Sequence, residues 1–467
     1  MPENLTRREF LKDLGLVGAG VSLAPAMADG DSLDSFLERA DDSWKPGPAA
    51  RPAWVKTVDK ITMEVDWPKV QRYSEMETLR HEPKYIPKDR YDKLQQMRSD
   101  NLDRFLKTSK PGYTLKDFAL QDACGAGAGA QSFLGPQVTT PDKRGVPAWT
   151  GSPEDAARMV TVAMRHMGAA TVGFVQLETN TTEKLIYSID PDKKEMVIAD
   201  VDMPAENDKQ RIIPKKARTA IVYTVQMSQE TLKRAPAVLG SLTTSLTYTL
   251  NRSIQLRAQT FLKALGYMAL GESSTNALAI APALGVFAGL GEMSRYNRLI
   301  TPEYGPMVRV FKLLTDLPIA TTKPIDAGLF AFCQACTKCA DACPSKALSF
   351  GPPTWEVVGG WNNPGHKAFF EDSIKCRNFQ YSVGTNCGLC FAACPFASKN
   401  NAFMHAFRNA MAATVPAFDG VLRTLDDVMY GAPDVNGNVL KDCEAWWKLD
   451  LPEYGMDSTQ GHRDGYA

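Results

Sequence analysis

Apolar and polar positions change rhythm along this chain. Residues 29–110 show no sustained period. They are polar and punctuated by proline, with Trp44, Trp54 and Trp67 spaced along them. That pattern predicts a wrapping segment with short helices, such as one over 91–108. From Ser152 the rhythm tightens. Ser152-Pro153 followed by acidic residues is a helix start, with serine as N-cap and proline at the first helical position, and the helix is expected to run to about Gly168. Apolar, β-branched runs then predict strands over 171–177, 184–189, 195–201 and 219–226, separated by polar turns such as Asp190-Pro191-Asp192. The two middle strands read as a hairpin inserted between a core helix and a core strand. A long helix is expected over about 241–266. Residues 271–309 are then rich in glycine and other small residues. This suits either a wall that something large and flat approaches closely, or a tightly packed pair of core helices.

Two further stretches test this picture. Leu278–Leu290 is the most apolar run outside the N-terminus, but Pro282, Gly285 and Gly289 interrupt it and it is too short to span a bilayer, which needs about 20 apolar residues. The run Cys124-Gly125-Ala126-Gly127-Ala128-Gly129-Ala130 resembles a dinucleotide loop. However, Ala130 stands where the third glycine belongs and no apolar strand precedes it, so it reads as a closely packed backbone segment.

Composition adds bounds. A chain of 467 residues has room for two to four domains. Its 53 basic and 53 acidic residues cancel, so no global field recruits nucleic acid or an anionic membrane. The first 28 residues read as an address. Thr6-Arg7-Arg8-Glu9-Phe10-Leu11-Lys12 has the twin-arginine form, an apolar stretch from Leu14 to Ala26 follows, and Ala26-Met27-Ala28 offers a small-residue cleavage site.

Eight of the ten cysteines lie between Cys333 and Cys394. The first run, Cys333-x-x-Cys336-x-x-Cys339-x-x-x-Cys343-Pro344, has the bacterial ferredoxin spacing for [4Fe–4S] ligation, in which the fourth cysteine serves the other cluster. That rule assigns Cys333, Cys336, Cys339 and Cys394 to one cluster, and Cys343, Cys376, Cys387 and Cys390 to the other. The second run departs from the pattern. Gly384 occupies the expected first cysteine position, so Cys376 must reach in over a loop. A zinc or disulfide module fits eight cysteines in two CxxxCP-ended runs poorly. In an exported protein this leaves Cys124 and Cys443 as lone buried residues.

Taken together, the leader Arg7-Arg8-Glu9-Phe10, the stretch Ile300-Thr301-Pro302-Glu303-Tyr304-Gly305-Pro306, and Trp361…Pro364-Gly365…Cys376 ahead of the second cysteine run resemble the respiratory reductive dehalogenases. The resemblance covers essentially the whole chain. It implies an α+β protein: a nitroreductase-like corrinoid-binding α/β domain followed by a ferredoxin-like double [4Fe–4S] module. On that reading, 1–28 is the signal peptide and 29–150 the wrapping segment. Residues 151–325 form the corrinoid and substrate domain, 326–400 the cluster domain, and 401–467 a C-terminal extension.

The resemblance also implies a base-off, cobalamin-type corrinoid whose Co(I), fed by the two clusters, breaks a carbon–halogen bond of an organohalide. None of His81, His166, His366, His405 and His462 lies in an Asp-x-His-x-x-Gly cobalt-ligand motif, which is compatible with this. The family's proton donor is a tyrosine supported by an arginine and an asparagine. The matching positions are Tyr248, Arg309 and Asn276, with Tyr267 near enough to compete for the tyrosine role. Thr244, Gly365, His366 and Lys367 are the positions offered for the corrinoid tail. The implied partners are a small membrane-anchor subunit and an upstream electron-donor complex or quinol, with no nucleic acid. The implied location is the outer face of the cytoplasmic membrane, held peripherally. Two alternatives stand beside this reading. One is an epoxyqueuosine-reductase-like enzyme, disfavoured by the leader and the balanced charge. The other is an exported electron-transfer subunit, which would leave some 300 upstream residues without a role.

Overall fold

The computed structural model describes residues 51, 54–77, 86–118, 122, 129, 131–358, 362–397, 420, 423 and 438–456. The leader, Trp44, Cys124 with most of its glycine-rich run, Trp361, His81, His405 and His462 lie outside the described residues.

Ten strands and six principal helices organise the described residues. In chain order the strands are β1 (Lys56–Thr57), β2 (Thr171–Gln176), β3 (Glu195–Ala199), β4 (Ala205–Glu206), β5 (Gln210–Pro214), β6 (Thr219–Gln226), β7 (Glu292–Met293), β8 (Leu299–Ile300), β9 (Val308–Thr315) and β10 (Ile325–Asp326). The helices are α1 (Lys88–Lys107), α2 (Pro153–His166), α3 (Val238–Ala264), α4 (Ala281–Phe287), α5 (Leu329–Ala335) and α6 (Ser373–Val383).

The centre is an antiparallel sheet of order β2-β6-β9. Its middle strand, β6, is buried along nearly its whole length, which explains its unbroken apolar run. Alternate side chains serve two cores. Ile221, Tyr223 and Val225 pack with Phe311 and Leu313 against α2 and α3. Ala220 and Val222 pack with Leu314 against α4 on the other face. Helices therefore cover both faces of the sheet, giving a three-layer α/β arrangement. Helix α2 starts as its sequence predicts: the Ser152 hydroxyl accepts from the Asp155 amide at 3.1 Å. Such a cap is worth about 1 kcal/mol.

The structure differs from the pattern in three places. Residues 184–189 do not form a ladder strand. A 3₁₀ turn, Thr182–Leu185, is followed by extended backbone stitched by isolated bridges, Ile186 to Ala279 and Ile189 to both Ser74 and Glu195. The expected hairpin is thus reduced to one bridge, and β3 pairs in parallel with β5 instead. The cause is the turn chemistry. Asp190 is buried, caps the amides of Asp192 and Lys194, and pairs with Arg211 of β5. That pairing draws β5 rather than residues 184–189 alongside β3. The third difference is β9, a full eight-residue strand at the edge of the central sheet. Its pattern was obscured because Arg309 and Lys312 interrupt the apolar run.

The wrapping segment is fastened to the α/β layer by cation-to-carbonyl contacts. Lys184 Nζ donates to the Trp67 carbonyl at 2.6 Å. The Arg72 guanidinium donates to the carbonyls of Ile186, Tyr187 and Met196. Its helix, α1, packs on α6 of the cysteine-rich region, where Asn101 Nδ2 donates to the Ser382 carbonyl at 2.8 Å. No helix among the described residues is long and apolar enough to cross a membrane.

Candidate active site and cluster module

A cavity of about 750 Å³ lies between the α/β layer and the cysteine-rich region. Ligand pockets generally occupy about 300–1,000 Å³. Helix α3 supplies Thr244 and Tyr248, four residues apart and so on one helical face. Strand β9 supplies Arg309, whose Nη2 donates to Thr244 Oγ1 at 3.0 Å. The Arg309 guanidinium sits 5.9 Å from the Tyr248 ring centroid and 5.5 Å from that of Phe391, within cation–π range. Arg309 Nε is buried without a hydrogen-bond partner.

The other cation of the β9 wall is neutralised. Lys312 Nζ lies 2.6 Å from Glu272 Oε1, both side chains being almost wholly buried. Burial pushes the Glu272 carboxyl up, and Lys312 opposes that shift. Arg309 is therefore the β9 cation left with charge to offer to the cavity.

The Tyr248 and Phe311 rings meet edge to face, with centroids 5.7 Å apart. Tyr267, the competing tyrosine, is committed elsewhere. Its hydroxyl donates to the Trp149 carbonyl at 2.7 Å, and it does not line the cavity. Asn276 does line it, at an exposed position with φ +66°, a left-handed conformation that asparagine tolerates better than most residues.

Of the four positions offered for a cofactor tail, Thr244 and His366 line the cavity. Burial pushes the His366 imidazole down to about 4, so it is neutral at pH 7. Gly365 and Lys367 are not in the lining. The Gly365 carbonyl accepts from the Asp66 amide at 2.8 Å, and Lys367 Nζ turns to Glu64 at 2.6 Å. Sequence reasoning missed the wrapping segment's share of the wall. Met63, Trp67 and Tyr73 line the cavity, together with Tyr187 and Phe287. Their signal was the spacing of aromatics through a polar stretch, which does not say what they face.

None of the eight cysteines of the C-terminal runs forms a disulfide, and neither does buried Cys443. Their mutual electrostatic neighbours divide into two sets. Cys333 is influenced by Cys394 and Cys336, and Cys339 by Cys333, Cys394 and Cys336, with Cys390 the weakest neighbour. Cys376 feels Cys387 and Cys343, and Cys390 feels Cys387, Cys376 and Cys343. These are the two groups the ferredoxin spacing assigns. Burial raises the thiols in both, so thiolates there require a compensating positive charge, which iron would supply. The donor set therefore fits two cubanes. No three His, Cys, Asp or Glu side chains among the described residues converge on a single-ion site. Cubane thiolates bind separate irons and stand farther apart.

Cys376 does not come over a loop. It lies in the first turns of α6, and Gly384, at φ +76°, ends that helix in the left-handed region. Cys387 and Gly388 follow with φ +59° and +97°, turning the chain so that the amides of Leu389 and Gly388 point at the Cys387 sulfur. Cys343, Cys376, Cys387 and Cys390 all line the cavity, whereas none of Cys333, Cys336, Cys339 and Cys394 does. The first group is therefore proximal to the cavity and the second distal.

The fold and site define an iron–sulfur protein whose double-cluster module abuts a large cofactor-sized cavity on an α/β layer. Residues 50–319 match the reductive dehalogenase subunit family, and residues 332–397 match the 4Fe-4S double cluster binding domain. The chain belongs to the reductive dehalogenase family. It is 33% identical over 330 residues to a tetrachloroethene reductive dehalogenase of Sulfurospirillum multivorans, covering 67% of this chain and 63% of that protein. It is 25% identical to a trichloroethene reductive dehalogenase of Dehalococcoides mccartyi over 97% of this chain and 98% of that one. The solved catabolic reductive dehalogenase NpRdhA shares the fold, with a TM-score of 0.60 at 20% identity, over 83% of this chain and 50% of its own. The chain thus spans less than two thirds of the first relative and half of that solved structure.

Proposed function

We propose that this protein is a reductive dehalogenase, converting R–X, two electrons and a proton into R–H and halide. The observation that carries the proposal is one cavity that unites Tyr248, Thr244 and Arg309 with all four cysteines of the proximal set. The names of the relatives, tetrachloroethene and trichloroethene reductive dehalogenases, support small organohalides as the substrate class.

A base-off corrinoid fits the residues present. The wall is broad and largely apolar, with Trp67, Tyr187 and Phe287 on it, and Arg309 Nε is an orphaned buried donor. Thr244 and His366, which line the cavity, would hold it. When bound, the corrinoid supplies a low-valent cobalt able to reduce a carbon–halogen bond, and the two clusters supply electrons singly.

The chain's own residues do the rest. Apolar side chains on the wall, such as Trp67 and Phe287, reduce the water around a bound substrate, which strengthens electrostatic interactions there. Arg309 offers a fixed positive charge to the departing halide or to negative charge developing on the substrate. The Tyr248 hydroxyl, with no acceptor among the described residues, is free to turn into the cavity and give its proton to the organic product. Asn276 at the rim orients the substrate by hydrogen bonding.

The twin-arginine motif supports export, with the mature protein peripheral on the outer membrane face. There a small membrane-anchor subunit would hold it and a donor complex or quinol would supply electrons. Metal analysis of anaerobically purified protein tests the reading, together with halide release driven by a reduced viologen. About eight irons and one cobalt per chain are expected. Cobalt-free protein, or loaded protein that releases no halide from any chlorinated ethene, overturns it.

A further inference from the structure

The β7–β8 hairpin belongs to the α/β layer, yet its turn, Ser294–Arg298, enters the cluster module. Tyr296 at the tip is buried against Cys339, in a cluster that also gathers Cys343, Cys390 and Cys394. Beside it Arg295 is completely buried. Its Nε and Nη2 donate to the Cys333 carbonyl at 2.9 and 2.6 Å, and Nε also reaches the Cys336 carbonyl at 2.9 Å. Nη2 also reaches the Gln334 carbonyl at 3.2 Å, and Nη1 donates to the carbonyls of Ser349 and Gly351 at 2.7 and 2.9 Å. The Phe369 ring lies 4.4 Å from the guanidinium carbon.

Every one of these acceptors is a neutral backbone carbonyl, and no carboxylate pairs with Arg295 among the described residues. Carbonyls satisfy the N–H groups but leave the charge unbalanced, and a lone buried charge is costly. A purely structural clamp would need only the donors. A source of compensating negative charge is the distal cysteine set, two of whose members, Cys333 and Cys336, have their backbones gripped by this guanidinium. A cluster held by four thiolates is anionic, and one-electron reduction makes it more so. A fixed cation beside it stabilises the reduced form more than the oxidised form.

We propose that Arg295 is the positioning residue of the distal cluster and holds its reduction potential up. It does so by carrying an unpaired charge to the C-terminal end of α5, which bears Cys333 and is followed by Cys336. The inference rests on the two-cluster reading above.

The test is an EPR-monitored redox titration of the anaerobically purified holoenzyme, with iron counted on the same samples. The distal signal is identified as the one altered in Cys336→Ser. Arg295→Met is expected to lower the distal one-electron equilibrium constant for reduction at least tenfold, about 59 mV, and to leave the proximal potential in place. Arg295→Lys keeps the charge without the fork, so it is expected to hold the distal potential near wild type while retaining iron less firmly. A fully loaded Arg295→Met with an unmoved distal potential overturns the proposal, as does an equal shift of both clusters. If Arg295→Met fails to load, the lysine variant decides: a distal potential as low as that tenfold shift refutes the role of charge. Wild-type protein with far fewer than eight irons would instead overturn the two-cluster reading.

Discussion

Tyr248→Phe isolates one atom. The phenylalanine ring keeps the edge contact with Phe311 at 5.7 Å and the guanidinium of Arg309 at 5.9 Å. Among the described residues nothing hydrogen-bonds to the Tyr248 hydroxyl, so its removal breaks no internal hydrogen bond. Stability should stay within about 0.5 kcal/mol of wild type, as for substitutions away from any packing or hydrogen-bond defect. Turnover should not. A positioned general acid contributes about 10²–10⁴-fold, or about 2.7–5.5 kcal/mol of activation free energy. The assay is steady-state halide release with reduced viologen, normalised to bound cobalt, alongside a thermal melt and an iron count. Arg309→Lys keeps a charge but loses the planar fork that reaches Thr244, and should be partly active. Arg309→Met should be nearly inactive. If Tyr248→Phe, with cobalt and iron intact, turned over within about threefold of wild type, a loss of under ~1 kcal/mol, the proton would have to come from elsewhere. Tyr267 is a poor substitute, because its hydroxyl is held by the Trp149 carbonyl.

Three further outcomes are expected. Cys376→Ala should cost the proximal cluster and leave the distal one, so iron falls from about eight to about four per chain and one EPR component persists. His366 titrates lower folded than unfolded, since burial brings it from 6.5 to about 4. As pH falls from about 6.5 to about 4 the unfolded chain takes up a proton that the native state refuses, so stability drops over that window by about 3 kcal/mol at most. Melting curves of His366→Gln should show a shallower decline there, and an identical decline would assign the loss to other groups. Replacing Arg7-Arg8 by Lys-Lys should abolish export without changing metal content, and wild type should be processed near Asp29. Cell fractionation and N-terminal sequencing read both.

The ferredoxin spacing of Cys333, Cys336 and Cys339 could be read from the chain because it is a short-range pattern. The same holds for α2, whose Ser152-Pro153 start is a short-range signal, and for β6, whose apolar run reflects burial on both faces. The spacing did not reveal the element that carries Cys376, since it says how far a thiol must reach and not that a helix bears it. Strand β9 was hidden by Arg309 and Lys312, charges that a strand interior accommodates only because Thr244 and Glu272, far away in the chain, meet them.

Tyr248 and Tyr267 could not be separated by composition, because both are tyrosines near one helix. Only packing sends one hydroxyl to a backbone carbonyl and the other ring to the cavity. The grip of Arg295 on the Cys333 carbonyl of α5 joins residues 38 apart in sequence, through a hairpin whose direction no local propensity dictates. Local covalent geometry and periodicity are written in neighbouring residues and survive being read one stretch at a time. Which cations stay paired, and which face a cavity, depends on the side chains that arrive from distant elements, and these meet only when the layers close.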